Sequence, residues 1–153
     1  MVNTVVMAWL LAGTLDIVTA ILYYVGPSRS GATRLLQGIA SGLLGARAFD
    51  GVAATAALGM ALHYLIAFIW TFVLVIAFRT IPLLRRHLVA TGIVYGFVVW
   101  LVMNLVVLPM SNVRHVPIQP RAAAIAAIIL VLCVGLPLSL VIGGDVKHER
   151  AGE

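Results

Sequence analysis

Gly51-Val-Ala-Ala-Thr-Ala-Ala-Leu-Gly-Met-Ala-Leu-His-Tyr-Leu-Ile-Ala-Phe-Ile-Trp-Thr-Phe-Val-Leu-Val-Ile-Ala-Phe78 contains no charged residue. At about 1.5 Å of rise per residue, a straight helix over these 28 residues is about 42 Å long, against a hydrocarbon core of about 30 Å. Such a helix either tilts steeply or keeps its first turns above the core. Asp50 is placed to cap its start. Arg79 ends the run, and Pro82 blocks continuation.

Three further runs flank this one. Val5 to Val25 matches the roughly 20 residues that span a bilayer and is closed by Gly26-Pro27. It lacks a basic start and is longer than a signal-peptide core, so it reads as a retained span. Beyond a tight basic loop with Arg85 and Arg86, the third span runs from Leu88 to Pro109. A polar loop with Pro117 and Pro120 leads to a fourth from Ala122 to Ile142, stopped by Gly143-Gly144. The tail from Asp145 to Glu153 is charged and is expected to be disordered at its tip.

Composition agrees with the runs. Of the 153 residues, 63% are hydrophobic and 10% charged, and the mean hydropathy is +1.13. Soluble domains are about 45–50% apolar and about 25% charged. In lipid, unpaired backbone groups are costly, so spans are helices or closed barrels. Barrel strands alternate apolar and polar residues, whereas these runs are continuous. The expected fold is a single all-α membrane domain over 1–153, with four transmembrane helices, no soluble domain and no internal repeat.

The segment between the first two spans is of another kind. Leu35, Leu36, Ile39, Leu43 and Leu44 recur at helical spacing, with Arg34, Gln37 and Ser41 on the other side. This predicts a short amphipathic helix over about Ala32–Gly45, lying in the interface or dipping into the membrane. Gly38, Gly42 and Gly45 form a small-residue stripe that would let another helix approach closely; a surface helix with flexible glycines is the alternative.

The net charge of +5 falls in short loops, which points to topology and anionic headgroups at Arg79, Arg85 and Arg86 rather than to nucleic acid. An even number of spans puts both termini on one side, with Arg79, Arg85, Arg86, Lys147 and Arg150; Arg29, Arg34, Arg47, Arg114 and Arg121 lie on the other. The Arg85-Arg86 pair in the shortest loop assigns the termini to the cytoplasm. The lone Cys133 forms no internal disulfide and leaves the redox compartment open. No zinc spacing, P-loop, dinucleotide fingerprint or hydrolase elbow is present. Haem needs two axial histidines at matching depth, and only His63 lies well inside a span. No metal or cofactor is expected.

Ionisable groups at membrane depth cost roughly 2.5–3.5 kcal/mol on insertion scales and suggest function by default. Asp16 lies near the middle of the first span, on a stripe with Trp9, Gly13, Ala20 and Tyr23. Uncharged, it donates one hydrogen bond; charged, it needs a cation or water. His63 shares a face with Gly59, Ala67 and Trp70, and Asn104 shares one with Gly92, Gly96 and Trp100. Gly92-x-x-x-Gly96 matches the small-x-x-x-small packing pattern. Counting residues from the span ends puts Asp16, His63 and Asn104 at roughly 15, 18 and 8 Å from one surface, at about 1.5 Å per residue. The three are expected to converge in one inter-helical pocket on the side of the loop after the first span. The fourth span, whose polar groups are Cys133 and Ser139, reads as packing. The remaining Trp and Tyr residues read as interfacial anchors and core.

Four segments in order carry a resemblance: Ala12-Gly-Thr-Leu-Asp16, Leu36-Gln-Gly-Ile-Ala-Ser-Gly-Leu-Leu-Gly45, Leu58-Gly-Met-Ala-Leu-His-Tyr-Leu-Ile-Ala67 and Met103-Asn-Leu-Val-Val-Leu-Pro-Met-Ser111. Together, over about Leu11 to Ser111, they resemble a family of small uncharacterised four-span bacterial inner-membrane proteins. The resemblance implies a bacterial cytoplasmic membrane location and places Asp16, His63, Asn104 and Pro109 in signature segments; it implies no activity.

Three functions fit these features. The leading one is a non-enzymatic accessory or structural protein, self-associating as a homo-oligomer or joined to a larger membrane complex. Its support is the lack of catalytic motifs, the minimal loops and the glycine stripes. The alternative is a small transporter or proton- or ion-conducting protein using the Asp16, His63 and Asn104 cluster. A lipid-modifying enzyme with His63 as base is the third.

Overall fold

Backbone groups in lipid must be satisfied within their own segment, and every apolar run of this chain is accordingly helical. The computed structural model describes residues 2–25, 29–51, 53–113 and 119–151, and no strand occurs among them. The elements are α1 (Val2–Tyr24), α2 (Arg29–Leu44), a 3₁₀ turn (Gly45–Phe49), α3 (Ala53–Thr80), the short α4 (Pro82–Arg86), α5 (Leu88–Met110) and α6, which runs from Pro120 to Ala151. Among the described residues, α1, α3, α5 and the Pro120–Asp145 part of α6 are long and apolar enough to cross a membrane. Their outer faces leave Leu22, Leu65, Phe72, Val94, Leu105 and Ile128 exposed, a surface that lipid solvates and water does not. The chain is a multi-pass, all-α membrane protein.

α1 packs on α3 and α6, and α5 packs on α6. The core lies at the end of the bundle that holds the chain termini. There Ala8 and Ala12 of α1 meet Leu74, Val75 and Phe78 of α3 and Val134, Leu138 and Ile142 of α6. α5 and α6 approach each other closely. A methyl group on Gly96 would come 2.5 Å from the Val131 Cα, and one on Gly92 would come 2.9 Å from the Gly135 carbonyl oxygen. Gly135 in turn lies against Gly92 and Gly96, so small residues on both helices make this contact. Ser139 reinforces it by donating to the Leu88 carbonyl at 2.7 Å.

Several features depart from the sequence expectations. α2 turns its polar side inward: Gln37 and Ser41 are buried, while Leu43 is 60% exposed. Gln37 Nε2 donates to the Gly51 carbonyl at 2.6 Å and to Thr55 Oγ1 at 3.2 Å, fixing α2 across the first turns of α3. In lipid the apolar side chains gain nothing by hiding, whereas a polar group gains a partner by turning inward. The close approach of α2 to α3 is made at Gly59, where a methyl group would strike the Leu36 backbone. Gly42 and Gly45 instead face Ser111, Asn112 and Val113, and among the described residues nothing lies within 4 Å of a methyl group on Gly38. Of the three, Gly45 is needed for its backbone, with φ +59° at the entry to the 3₁₀ turn.

The fourth span does not stop at Gly143-Gly144. Its helix continues to Ala151, because Gly143 is a packing contact: a methyl group there would strike Leu88 and meet Phe78 at 3.2 Å. The tail is therefore helical through Ala151, and its last two residues lie outside the described part, as do Gly26-Pro27 and most of the loop before α6. Asp50 closes the 3₁₀ turn, its N–H donating to the Arg47 carbonyl at 3.2 Å, and α3 begins three positions later at Ala53.

Finally, α5 and α6 each contain one wider π-type turn, at Met103–Val107 and Val131–Gly135. Each turn ends two residues before a proline, Pro109 and Pro137. Proline has no N–H for the carbonyl four residues back and its ring crowds that carbonyl, so the helix widens there. On the terminal side of the bundle, Arg86 is exposed but Arg85 is only 8% exposed.

Candidate functional site

The stripe on α1 packs against α3 through Trp9 and Gly13. Trp9 Nε1 donates to the Tyr64 carbonyl at 2.8 Å, and its ring lies edge-on to Tyr64 and Phe68. Gly13 sits against the Tyr64 ring, where a methyl group would come to 3.0 Å. That close approach exposes the Gly13 carbonyl oxygen to His63, whose Nε2 lies 2.8 Å from it. A carbonyl only accepts, so Nε2 carries the hydrogen and donates. Asp16, one turn beyond Gly13, then stands beside His63 within electrostatic reach.

Asn104 comes to the same region from α5. It lies in the wide turn preceding Pro109, and its Nδ2 donates to the Trp100 carbonyl at 2.8 Å. Widened turns of this kind often mark functional sites, because they redirect side chains and disturb the backbone ladder.

Asp16, His63 and Asn104 all line one cavity of about 280 Å³, toward the bundle end opposite the core. Among the described residues no hydrogen bond joins the three to one another, and the Asp16 carboxyl accepts none. Trp70, Trp100 and Tyr24 contribute aromatic surface to the walls. α6 closes the cavity with apolar side chains, Ile129, Leu130 and Val134 among them, and Ile39 of α2 also lines it. Tyr24, at the end of α1, is 51% exposed. Among the described residues the Trp100 indole N–H is buried in the wall without a partner, a placement that costs about 1–3 kcal/mol when nothing accepts from it.

No family model matches the sequence, and no curated protein and no solved structure matches it.

The site therefore rests on geometry alone. Of the aromatic stripe residues, Trp70 and Trp100 serve the cavity as well as the fold: Tyr95 donates to the Trp70 carbonyl, tying α5 to α3 beside it. Tyr24 takes the place expected of Tyr23, which lies edge-on against it and half exposed. The wall from α6 was not legible in its sequence, since an apolar lining and an apolar packing face have the same composition. Pro109 and Pro137 were the available signal for the widened turns. Among the described residues no group of three or more His, Cys, Asp or Glu side chains could hold a metal ion.

Proposed function

We propose that this protein is a small multi-pass transporter that binds a proton or a cation in the cavity, with Asp16 as the charged group. The observation that carries the reading is the placement of Asp16: a half-buried carboxyl at mid-span, facing a cavity and making no hydrogen bond among the described residues. A residue kept only to clasp helices is expected to be consumed by an internal bond, as Trp9 is by the Tyr64 carbonyl. His63 is the neighbouring group able to exchange a proton with Asp16, and Asn104 supplies a neutral acceptor. Both termini face the cytoplasm in this reading, and the membrane is the bacterial inner membrane, on the resemblance noted above.

The second reading, a structural or accessory subunit, draws on His63 and Asn104. Both side chains are bonded within the bundle, to the Gly13 and Trp100 carbonyls. Asp16→Asn separates the two, because it keeps size and polarity but cannot ionise. In proteoliposomes with a pH-sensitive dye inside and an imposed membrane potential, the wild type should acidify the lumen and Asp16→Asn should not, while its circular dichroism is unchanged. Equal rates for the two proteins would reject the transport reading. In the structural case Asp16→Asn behaves as wild type and Asp16→Leu fails to assemble.

A further inference from the structure

We infer that the cavity takes a monovalent organic cation, a compact ammonium group carrying one ring-sized apolar substituent; the inference rests on the transport reading and names its substrate class. The charge comes first. Among the described residues lining the cavity, Asp16 is the one acidic side chain and none is lysine or arginine. A ligand that enters a low-dielectric site needs a partner for its charge there, and Asp16 partners a single positive charge.

The rest of the lining selects the kind of cation. Inorganic ions such as calcium or magnesium require about six or more oxygen ligands. This cavity offers the Asp16 carboxyl and, because Asn104 Nδ2 is directed to the Trp100 carbonyl, the Asn104 Oδ1. His63 Nε2 is occupied by Gly13. Such a set is too poor in oxygen to strip a hydrated metal ion. An organic ammonium group gives up far less hydration, and the Trp70, Trp100 and Tyr24 rings that line the cavity offer it aromatic partners. The apolar walls from α3 and α6 then match the substituent. Size sets the upper bound: at about 280 Å³ the cavity lies just below the usual span of roughly 300–1,000 Å³ for small-molecule pockets. One ring with a trimethylammonium head suits it, and a multi-ring cation does not.

Benzyltrimethylammonium is the probe, and neopentylbenzene, with carbon in place of the charged nitrogen, is its neutral counterpart. Each is titrated into the full-length protein in zwitterionic micelles, with tryptophan fluorescence as the readout. The cation should quench saturably and the neutral compound should not. Asp16→Asn should bind the cation at least about tenfold more weakly, and Asp16→Glu should restore binding toward the wild-type value. Trp100→Leu should weaken it by roughly two- to thirty-fold, the range of one cation–π contact. Circular dichroism and gel filtration confirm that each variant is folded. Equal binding of cation and neutral compound, or equal affinity of wild type and Asp16→Asn, overturns the inference. Failure of the cation to bind while proton movement still depends on Asp16 overturns the substrate class and leaves the transport reading standing. Loss of both overturns the two together.

Discussion

Gln37 shows how a bilayer changes what a polar side chain does. In water its place would be outside; here it is 7% exposed and spans the gap between α2 and α3, donating to Gly51 and Thr55. Gln37→Leu should therefore loosen α2 despite adding apolar surface. The expected loss is about 0.5–1.5 kcal/mol, visible as faster hydrogen exchange in α2 with little change in α5 and α6. Glycines at the same scale divide by what surrounds them. Gly96→Ala must push against the Val131 backbone and should destabilise the protein by about 1–3 kcal/mol. Gly38→Ala meets nothing within 4 Å and should stabilise α2 by about 0.5–1 kcal/mol, because alanine loses less backbone freedom in a helix. Unfolding by SDS titration in mixed micelles measures both; a shared sign for the two glycine variants would contradict the packing described.

At the scale of elements, α1 and α6 touch although they are the first and last spans in the chain. Thr19 Oγ1 lies 3.4 Å from the Sγ of Cys133, the single cysteine. Thr19→Cys should therefore form an intramolecular disulfide with Cys133 under mild oxidation, protecting both thiols from a maleimide-polymer label. Persistent double labelling would place α1 away from the wide turn of α6. That wide turn and its counterpart in α5 are the elements for which no run of hydropathy gives warning. They follow from Pro109 and Pro137, and the one in α5 carries Asn104 to the cavity.

Over the whole molecule, core and cavity occupy opposite ends. Packing at the terminal end is dense around Phe78, Leu74 and Leu138, all fully buried, while the other end leaves room between four spans and α2. Four spans place both termini on one side. Single cysteines introduced at Ser111 and in the C-terminal tail of a Cys133→Ser background should label from opposite faces in intact cells, Ser111 from outside and the tail only after permeabilisation. Labelling of the tail in intact cells would reverse the orientation.

The sequence by itself determined the number, order and approximate ends of the spans. Transfer from water to lipid is a property of one segment at a time, and an uncharged run such as 53–78 states it completely. It also determined the faces on which Asp16, His63 and Asn104 stand, through helical spacing with glycines and aromatics. Only the tertiary structure decided which way α2 turns, that Gly143 continues a helix instead of ending it, and that α6 and two tryptophans wall a cavity. Those outcomes depend on the gap between segments. Hydropathy does not encode that gap, because a helix face packed on a neighbour and one lining a hollow are equally apolar.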